Sequence, residues 1–306
     1  MLKKISLFLL GRMSRVYDRL GVWVVPAHFY TPIPELEVVR KDDSWDSRLH
    51  EAPGIDLNVN LQQELLNVIF PRFTGEYDFP LDREEAGSPA DFHFNNGMFA
   101  NTDAEVYYGM LRHFRPRRII EVGAGRSTQI CCAAVGRNAG ETGVRAQISI
   151  VEPYPNEMIL GPLAGKIEML RSKVEDVGPD FFTRLEENDV LFIDSSHVVK
   201  SAGDVNYLFL EVLPRLNPGV VVHIHDIRIP YEVPRLFLVE QARFFTEQYL
   251  LQAFLIGNND FEILWGTYFM TQNFPGKVAS VFRSSRCGTY AGGSFWIRRK
   301  TAQENA

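Results

Sequence analysis

The chain has 306 residues, of which 45% are hydrophobic and 23% are charged. This length and composition are typical of a globular protein whose core needs neither disulfides nor a structural metal. Its 32 basic and 38 acidic residues give a formal net charge of −6. Because this charge provides no overall attraction to a polyanion, we do not expect nucleic acid as a partner.

The cysteines and the apolar stretches predict a location inside the cell. Two of the three cysteines, Cys131 and Cys132, are adjacent in a predicted helix, where neighbouring side chains diverge. They indicate no disulfide framework, and a reducing compartment is the simpler interpretation. No apolar stretch reaches the roughly 18 residues that span a bilayer, so we expect no transmembrane segment and a cytoplasmic protein.

Residues 1–20 are predicted to form an amphipathic helix. Leu2, Ile5, Leu9 and Met13 fall on one helical face, and the basic residues lie mostly elsewhere. We interpret this segment as a helix docked on the body of the protein or on a second subunit, which allows a homo-oligomer. The alternative is contact with a membrane surface.

The rest of the first 95 residues is rich in proline and aromatic residues and shows weak periodicity. Only residues 57–70 predict a helix, which we expect Pro71 to stop. The aromatic content is too high for a disordered linker. We therefore predict two domains: an N-terminal helix with an irregular cap over residues 1–95, and a cofactor-binding domain over residues 96–306.

Strands and helices alternate after residue 101, which predicts an α/β fold with a doubly wound, mostly parallel sheet. The predicted strands are 118–122, 147–152, 167–170, 189–194, 220–225, 261–265 and 294–298. The predicted helices are 103–114, 127–137, a segment after Pro155, 179–185, 202–216 and 236–256. Residues 266–291 show little periodicity, and we expect them to contribute to a lid over a ligand.

A glycine turn follows the first of these strands. Glycines let the backbone turn sharply and approach a ligand closely at Gly123 and Gly125, and Ser127 is a natural N-cap for the next helix. One helix later, Glu152 ends the second strand, where an acid can accept hydrogen bonds from both hydroxyls of a ribose. These features predict a nucleoside-type cofactor.

Two alternatives to a nucleoside cofactor are a purely structural turn and a dinucleotide. The dinucleotide fingerprint needs a third glycine at the position of Thr128. Glu121, an acid at the end of the strand, suits a ligand that carries an ammonium group and no pyrophosphate.

Three segments resemble successive motifs of the class I S-adenosylmethionine-dependent methyltransferases. They are residues 119–128, 192–197 and 218–227, in matching order and spacing, and the resemblance extends over about residues 95–300. It is strongest to a bacterial small-molecule branch with an N-terminal cap. The resemblance implies a Rossmann-like sheet of seven strands, the last of them antiparallel. It also implies S-adenosylmethionine as cofactor, with contacts from Glu121, Gly123, Gly125, Ser127 and Glu152.

The turn after the fourth strand bears on the methyl acceptor. It reads Asp194-Ser195-Ser196-His197, in place of the Asn/Asp-Pro-Pro-aromatic turn with which amino-methyltransferases clamp a flipped base. We therefore expect O-methylation of a small hydroxylated metabolite or sugar. The alternatives are a non-catalytic nucleoside-binding protein of the same fold and a nicotinamide-dependent oxidoreductase.

Residues at the ends of the fourth and fifth strands are the catalytic candidates. The placement of Asp194 and Asp226 resembles the metal-dependent O-methyltransferases, although Ile227 stands where that group has Asn. With His225, they predict a divalent metal site in which the ion would acidify a bound hydroxyl. Without metal, we expect His225 to act as the base beside Asp226, with His197 and His223 as further candidates. The alternative is that Asp194 orders its turn and that the histidines are structural.

Overall fold

The computed structural model describes residues 19–22, 29–88, 90–99, 101–286 and 292–301. By their internal contacts, residues 1–43 and 235–244 form one compact unit, and residues 44–234 and 245–306 form a second. All but the last two residues of the predicted N-terminal helix lie outside the described residues, so its membrane-surface or subunit contacts stay predictions. Within the described ranges, no helix is both long and apolar enough to cross a bilayer.

The smaller unit contains helix α1, Leu36–Lys41, and a π-helical turn, Leu236–Glu240. The guanidinium of Arg235 donates to the carbonyl of Arg40 at 2.6 Å. The prediction of one helix over residues 236–256 is wrong. Ala242 adopts a left-handed conformation with φ of 50°, which interrupts the helix.

The larger unit contains a seven-stranded sheet in the order β3-β2-β1-β4-β5-β7-β6. Strands β1 to β5 are parallel, and β7 is antiparallel to both of its neighbours, β5 and β6. The predicted α/β fold with seven strands and an antiparallel last strand is confirmed. The strands are β1 Arg118–Val122, β2 Gln147–Val151, β3 Glu168–Leu170, β4 Val190–Ile193, β5 Val221–Ile224, β6 Phe261–Gly266 and β7 Phe295–Arg299.

Helices of the larger unit cover both faces of this sheet, as the doubly wound prediction required. Alternate strand residues point to opposite faces, so Ile119 enters one core while Ile120 and Val122 enter the other. The helices are α2 Val59–Glu64, α3 Asn101–Phe114, α4 Arg126–Thr142, α5 Glu157–Leu160, α6 Asp204–Tyr207, α7 Glu247–Leu255, α8 Thr267–Asn273 and α9 Pro275–Val281.

Several predicted helices have different ends or wider turns. Helix α2 continues through a π-helical turn, Leu65–Ile69, and a 3-10 turn, Phe70–Arg72, so Pro71 lies inside the last turn. Helix α6 continues in the same way through residues 208–215. The predicted helix at 179–185 is only the 3-10 turn Pro179–Phe181. Helices α8 and α9 occupy much of residues 266–291, which were expected to be irregular and to contribute to a lid.

The start of α4 also differs from the prediction. Gly125, not Ser127, is the N-cap residue, and Ser127 lies in the first turn. The reason is the side chain of Thr128, whose hydroxyl accepts a hydrogen bond from the Gly125 N–H at 3.2 Å. Thr128 thus caps the N–H of Gly125 from within the first turn, as the N3 residue of a capping box does.

Aromatic side chains from residues 70–99 pack in the same core as α3 and α4. Phe70, for example, contacts Trp265 edge-on with the ring centroids 5.1 Å apart. These aromatic residues therefore belong to the larger unit, and the domain boundary at residue 95 stays a prediction. The role of residues 1–95 as a cap stays a prediction.

Asp103, in the first turn of α3, is fully buried. Its carboxylate accepts hydrogen bonds from the N–H groups of Gly293 at 2.7 Å and Ser294 at 2.9 Å. Because a buried carboxylate needs such donors, α3 and the approach to β7 stabilise each other.

Two helical glycines give a matched test of this packing. A Cβ atom at Gly109 of α3 would lie 2.6 Å from the ring of Phe70, whereas one at Gly140 of α4 would meet no heavy atom within 4 Å. We expect Gly109→Ala to lower the free energy of unfolding by about 1–3 kcal/mol through overpacking. We expect Gly140→Ala to raise it by about 0.5–1 kcal/mol. Urea denaturation measures both, and equal stability of the two variants would contradict the packing of Phe70 on α3.

Candidate functional site

The carboxyl ends of β1, β2, β3 and β4 border a cavity of about 480 Å³. Ligands of open α/β sheets bind at this edge. Its lining residues are Val122, Gly123, Val151, Glu152, Pro153, Tyr154, Lys173, Val174, Glu175, Asp194, Ser195, Ser196, Lys200, Ala202 and Asp204. Of the residues predicted to bind the cofactor, Gly123 and Glu152 are in this set, and Gly125, Ser127 and Glu121 are not.

Gly123 holds three strand ends together. Its N–H donates to the carbonyl of Val151 at 3.0 Å, and the N–H of Asp194 donates to the carbonyl of Val122 at 2.8 Å. Gly123 has φ of +84°, and a Cβ atom there would lie 2.2 Å from the carbonyl oxygen of Asp194. Both the conformation and the close approach therefore require glycine.

The carboxylate of Glu152 is fixed on the cavity wall. One of its oxygens accepts from the N–H of Tyr154 at 2.6 Å, and the other accepts from the N–H of Ala124 at 3.3 Å. A carboxylate has about four lone-pair sites, so each oxygen retains capacity for a further donor. The side chain is thus oriented by the backbone and can still receive the hydroxyls of a ligand.

Glu121 is fully buried beneath the glycine turn. Its carboxyl oxygens accept from the hydroxyls of Tyr107 at 2.8 Å and Thr128 at 2.6 Å. Burial, with a smaller contribution from the charge of Asp194, raises its pKa to about 7. Because the same Thr128 hydroxyl accepts from Gly125, Glu121 orders the turn through Thr128.

The raised pKa of Glu121 predicts a dependence of stability on pH. The folded protein binds this proton more tightly than the unfolded chain, whose carboxyl has a pKa near 4.5, so stability falls as pH rises from 4.5 to about 7. Glu121→Gln removes this titration. We expect the variant to gain on the order of 1–3 kcal/mol relative to the wild type across that window. Urea unfolding at several pH values measures the difference.

Glu157→Gln is the control for this experiment, because Glu157 is an exposed residue paired with Arg171. It should keep the pH dependence of the wild type. If Glu121→Gln also keeps it, Glu121 does not hold a proton in the folded protein.

Asp194 and His197 begin a cluster of charged side chains beside the cavity. The Nε2 atom of His197 lies 3.2 Å from Asp194 and 3.8 Å from Asp226. Its Nδ1 atom lies 2.8 Å from the carboxylate of Glu247. Burial raises the pKa of Asp194, but the charge of His225 and the hydrogen bond from His197 outweigh it and lower that pKa to about 2. Asp194 is therefore ionised at neutral pH.

His225 differs from His197 in its hydrogen bonding. It is 4% exposed, and its Nε2 atom lies 3.9 Å from Asp226, beyond hydrogen-bond distance. In the described part of the chain, its Nδ1 atom has no hydrogen-bond partner. Burial lowers its pKa, but the charges of Asp194 and Asp226 outweigh burial, and the net shift is upward. A proton on this ring is therefore stabilised by two carboxylates.

His223 is a structural histidine. It is fully buried, stacks on Phe192 with the centroids 4.1 Å apart, and lies 2.8 Å from the hydroxyl of Ser294. Burial holds its pKa well below the ordinary value. It therefore carries no charge at neutral pH.

The structure does not assemble the predicted metal ligands Asp194, His225 and Asp226 as a metal site. Among the residues described, no group of three or more His, Cys, Asp or Glu side chains is arranged to hold an ion. Ligands to a divalent metal converge on one point at about 2.0–2.2 Å. Here the ring of His197 lies against both aspartates instead.

Glu247 and Ser195 belong to this cluster and were not predicted. Glu247 is 1% exposed, and its second oxygen accepts from the hydroxyl of Ser195 at 3.1 Å. It follows His197 by 50 residues in a segment predicted to be mid-helix, so no local pattern indicated its role. For Ser195, the only indication in the sequence is its position directly after the predicted end of the fourth strand.

Comparison with known proteins agrees with this arrangement. A family model described as a methyltransferase domain matches residues 120–227, which begin within β1 and include β2 to β5 and most of the site. A protein of Archaeoglobus fulgidus described as uncharacterized is 33% identical over 193 residues, covering 61% of this chain and 85% of that protein.

Two solved methyltransferases are also similar. The SAH-bound Podospora anserina methyltransferase PaMTH1 is 15% identical, with 91% of this chain and 99% of that chain covered and a TM-score of 0.38. The O-methyltransferase from Bacillus cereus in complex with SAH is 12% identical, with 79% and 97% covered and a TM-score of 0.39. At these values, neither likeness carries an argument about this chain's substrate.

The sheet order, the glycine turn after β1 and the acid after β2 define a methyltransferase-type α/β domain. The match over residues 120–227 includes the glycine turn and the acid after β2, and β6 and β7 lie beyond it. The chain contains a methyltransferase domain with the fold of the class I S-adenosylmethionine-dependent methyltransferases.

Proposed function

We propose that this protein transfers a methyl group from S-adenosylmethionine to a hydroxyl group of a small-molecule acceptor, a metabolite or a sugar. The observation that carries the proposal is the double role of Asp194. Its side chain lines the cavity next to Gly123 and Glu152, and it also contacts the histidine–carboxylate cluster at the ends of β4 and β5. A cofactor pocket and a proton-accepting centre therefore share one wall.

The hydrogen-bonding groups of the cavity suit S-adenosylmethionine. Glu152, oriented by two backbone N–H groups, has lone pairs available for the ribose hydroxyls. Gly123 lets the ligand approach the backbone of the turn, and the buried network of Glu121 and Thr128 keeps that turn rigid. Preorganisation of this kind lowers the ordering cost of binding.

When bound, the cofactor supplies a methyl group on a positively charged sulfur. Its methyl carbon would be open to attack by the acceptor oxygen, with the sulfur as the leaving group that would keep the electron pair of the broken carbon–sulfur bond. The protein's task is to position the hydroxyl in line and to remove its proton.

His225 is the base in this proposal, because its Nδ1 atom has no partner among the described residues and its neighbours stabilise the protonated ring. Asp194 and Asp226 supply the negative charge that stabilises the imidazolium after it takes the proton. His197 is less suited to this role, since both of its nitrogens already face carboxylates.

Glu152 tests the placement of the cofactor. We expect Glu152→Ala to weaken S-adenosylmethionine binding at least about tenfold, or 1.4 kcal/mol, because two hydroxyl contacts are lost. Isothermal titration calorimetry measures the affinity. Glu157→Ala, a surface change outside the cavity lining, should bind as the wild type does. Unchanged affinity in a folded Glu152→Ala variant would place the ribose elsewhere.

His225 and Asp194 test the reaction. Incubation with S-adenosylmethionine and a panel of hydroxylated acceptors should yield S-adenosylhomocysteine, and His225→Ala or Asp194→Ala should reduce turnover by about 10²-fold or more. Cofactor affinity of His225→Ala should stay near the wild-type value. The wild-type rate should rise with pH through a midpoint above the ordinary imidazole value of about 6.5, because the pKa of His225 is raised.

The control is His50→Ala, which removes an exposed histidine paired with Glu232 at 2.9 Å. It should leave turnover unchanged. Product formation at the wild-type rate in His225→Ala would show that another residue is the base. Cofactor binding with no turnover on any acceptor would favour the non-catalytic alternative, and preferential binding of NAD would favour the oxidoreductase.

A further inference from the structure

The cavity at the carboxyl ends of β1 to β4 is lined by acidic and basic side chains. The acids are Glu152, Glu175, Asp194 and Asp204, and the bases are Lys173 and Lys200. Within the described ranges of the chain, neither lysine takes part in an ion pair, although four carboxylates share the cavity with them. Because binding sites complement the charge of their ligands, this arrangement indicates a ligand that carries a negative group.

Lys200 is the lysine on the acceptor side of the cavity. It follows β4, as Asp194 does, whereas Lys173 follows β3, the edge strand beside β2. Glu152 follows β2 and is the residue proposed to bind the ribose, so Lys173 lies toward the nucleoside part of the cofactor. Lys200 lies toward Asp194 and the reacting groups.

Gly203 holds the side chain of Lys200 in place. A Cβ atom at residue 203 would lie 2.6 Å from Cγ and 3.1 Å from Cε of Lys200, so the aliphatic stem lies directly against the glycine. The N–H of Gly203 also donates to the carbonyl of Lys200 at 3.1 Å. A lysine that packs its stem in this way keeps its charged end in solvent. The ammonium is therefore confined to one part of the cavity wall.

The hydroxyl of Ser196 orients this ammonium. The Nζ atom of Lys200 donates to the Ser196 hydroxyl oxygen at 3.3 Å. The single proton of that hydroxyl goes to Asp204 at 2.6 Å, and the N–H of Ser196 donates to the same carboxylate at 2.7 Å. An ammonium group has three donors, so two of them remain for a ligand in the cavity.

The charge of the cofactor favours the acceptor as the partner of Lys200. S-adenosylmethionine carries a sulfonium, an ammonium and one carboxylate, so its net charge is positive and repels a nearby ammonium. Ser196, which accepts from Lys200, is two residues from Asp194, and two residues span at most about 8 Å of chain. A small acceptor whose hydroxyl lies beside Asp194 can reach across this distance.

We propose that Lys200 binds a carboxylate or phosphate group in the cavity, and that the methyl acceptor is an anionic hydroxyl compound. The proposal rests on the proposed function for the acceptor, and on the geometry of Lys200, Gly203 and Ser196 for the anion site. Lys200 is in these terms a specificity-determining residue. Its charge-assisted hydrogen bonds select acceptors that carry a negative group at the matching distance from the hydroxyl. The carboxylate of the cofactor is the other source of the same chemistry.

Inorganic phosphate tests the anion site on the protein saturated with S-adenosylhomocysteine, in which the carboxylate of the cofactor is already present. We expect the wild type to bind phosphate at least about tenfold more tightly than Lys200→Met, because methionine keeps an apolar stem and removes the charge. Phosphorus NMR titration measures both affinities. Lys277→Met, which removes an exposed lysine outside the cavity lining, should bind phosphate as the wild type does. Equal affinity of the wild type and Lys200→Met, or no binding by the wild type, would overturn the proposal.

Gly203→Ala tests whether the place of the ammonium matters. The added Cβ atom displaces the stem of Lys200 and leaves its charge, and the variant should fold because most of the overlapped atoms belong to a flexible side chain. Phosphate affinity should fall toward that of Lys200→Met. Gly140→Ala, whose Cβ atom meets no heavy atom within 4 Å, is the matched control. Wild-type phosphate affinity in Gly203→Ala would contradict the site built by Lys200 and Gly203.

Calorimetry with two nucleosides separates the acceptor from the cofactor as the source of the anion. S-adenosylhomocysteine carries the amino-acid group of the cofactor, and methylthioadenosine lacks it. We expect Lys200→Met to bind both with the affinity of the wild type, because the acceptor is the partner of the lysine. Weaker binding of S-adenosylhomocysteine alone would assign Lys200 to the carboxylate of the cofactor and would refute the anionic acceptor.

Turnover adds an arm that depends on the proposed function. For pairs of hydroxylated acceptors that differ by one carboxylate or phosphate, Lys200→Met should raise the KM of the anionic member at least about tenfold with little change in kcat. Lys200→Arg should restore most of the loss. Methylation of the neutral members alone, or an equal change in KM for both members, would contradict the proposal. If no acceptor is methylated, the proposed function fails, while the phosphate titration still decides the anion site.

Discussion

The carbonyl oxygen of Asp194 lies so close to residue 123 that any side chain there would overlap it. This approach joins the ends of β1 and β4, and the hydrogen bond from Gly123 to Val151 joins them to β2. The cavity wall and the charged cluster are consequently parts of one rigid junction. A displacement of the glycine turn moves Asp194, and with it the contact to His197.

The same junction couples the charges on its two sides. The negative charge of Asp194 adds to burial in raising the pKa of Glu121, and the histidines next to Asp194 lower its own pKa. The two acids thus hold their protons differently: Glu121 is fully buried, whereas the side chain of Asp194 is 37% exposed and lines the cavity. Glu121 can therefore hold a proton beneath the glycine turn, and Asp194 carries a negative charge beside the cavity.

The sheet was predictable from the sequence because most of its strands contain a short apolar stretch next to turn residues. Glu152, Asp194 and His225 directly follow β2, β4 and β5. Because these strands are parallel, their carboxyl ends bring the three residues to the same edge of the sheet. Glu247 was not predictable, because its partner His197 is 50 residues away and Glu247 itself lies in the middle of a predicted helix. The break at Ala242 leaves no sequence signal, since alanine favours helix and adopts positive φ only through tertiary constraint.

Strand β7 lies between β5 and β6, although it is the last of the three in the chain. During synthesis on a ribosome, β6 therefore emerges without the neighbour that joins it to the rest of the sheet. The hydrogen bonds of Asp103 also form late, because its two backbone donors lie 190 and 191 residues farther along the chain. Contacts of this range delay the final closure of a fold. The nascent protein consequently exposes an open edge at β5 until residues 293–299 arrive, and such an edge offers unpaired backbone groups to another chain.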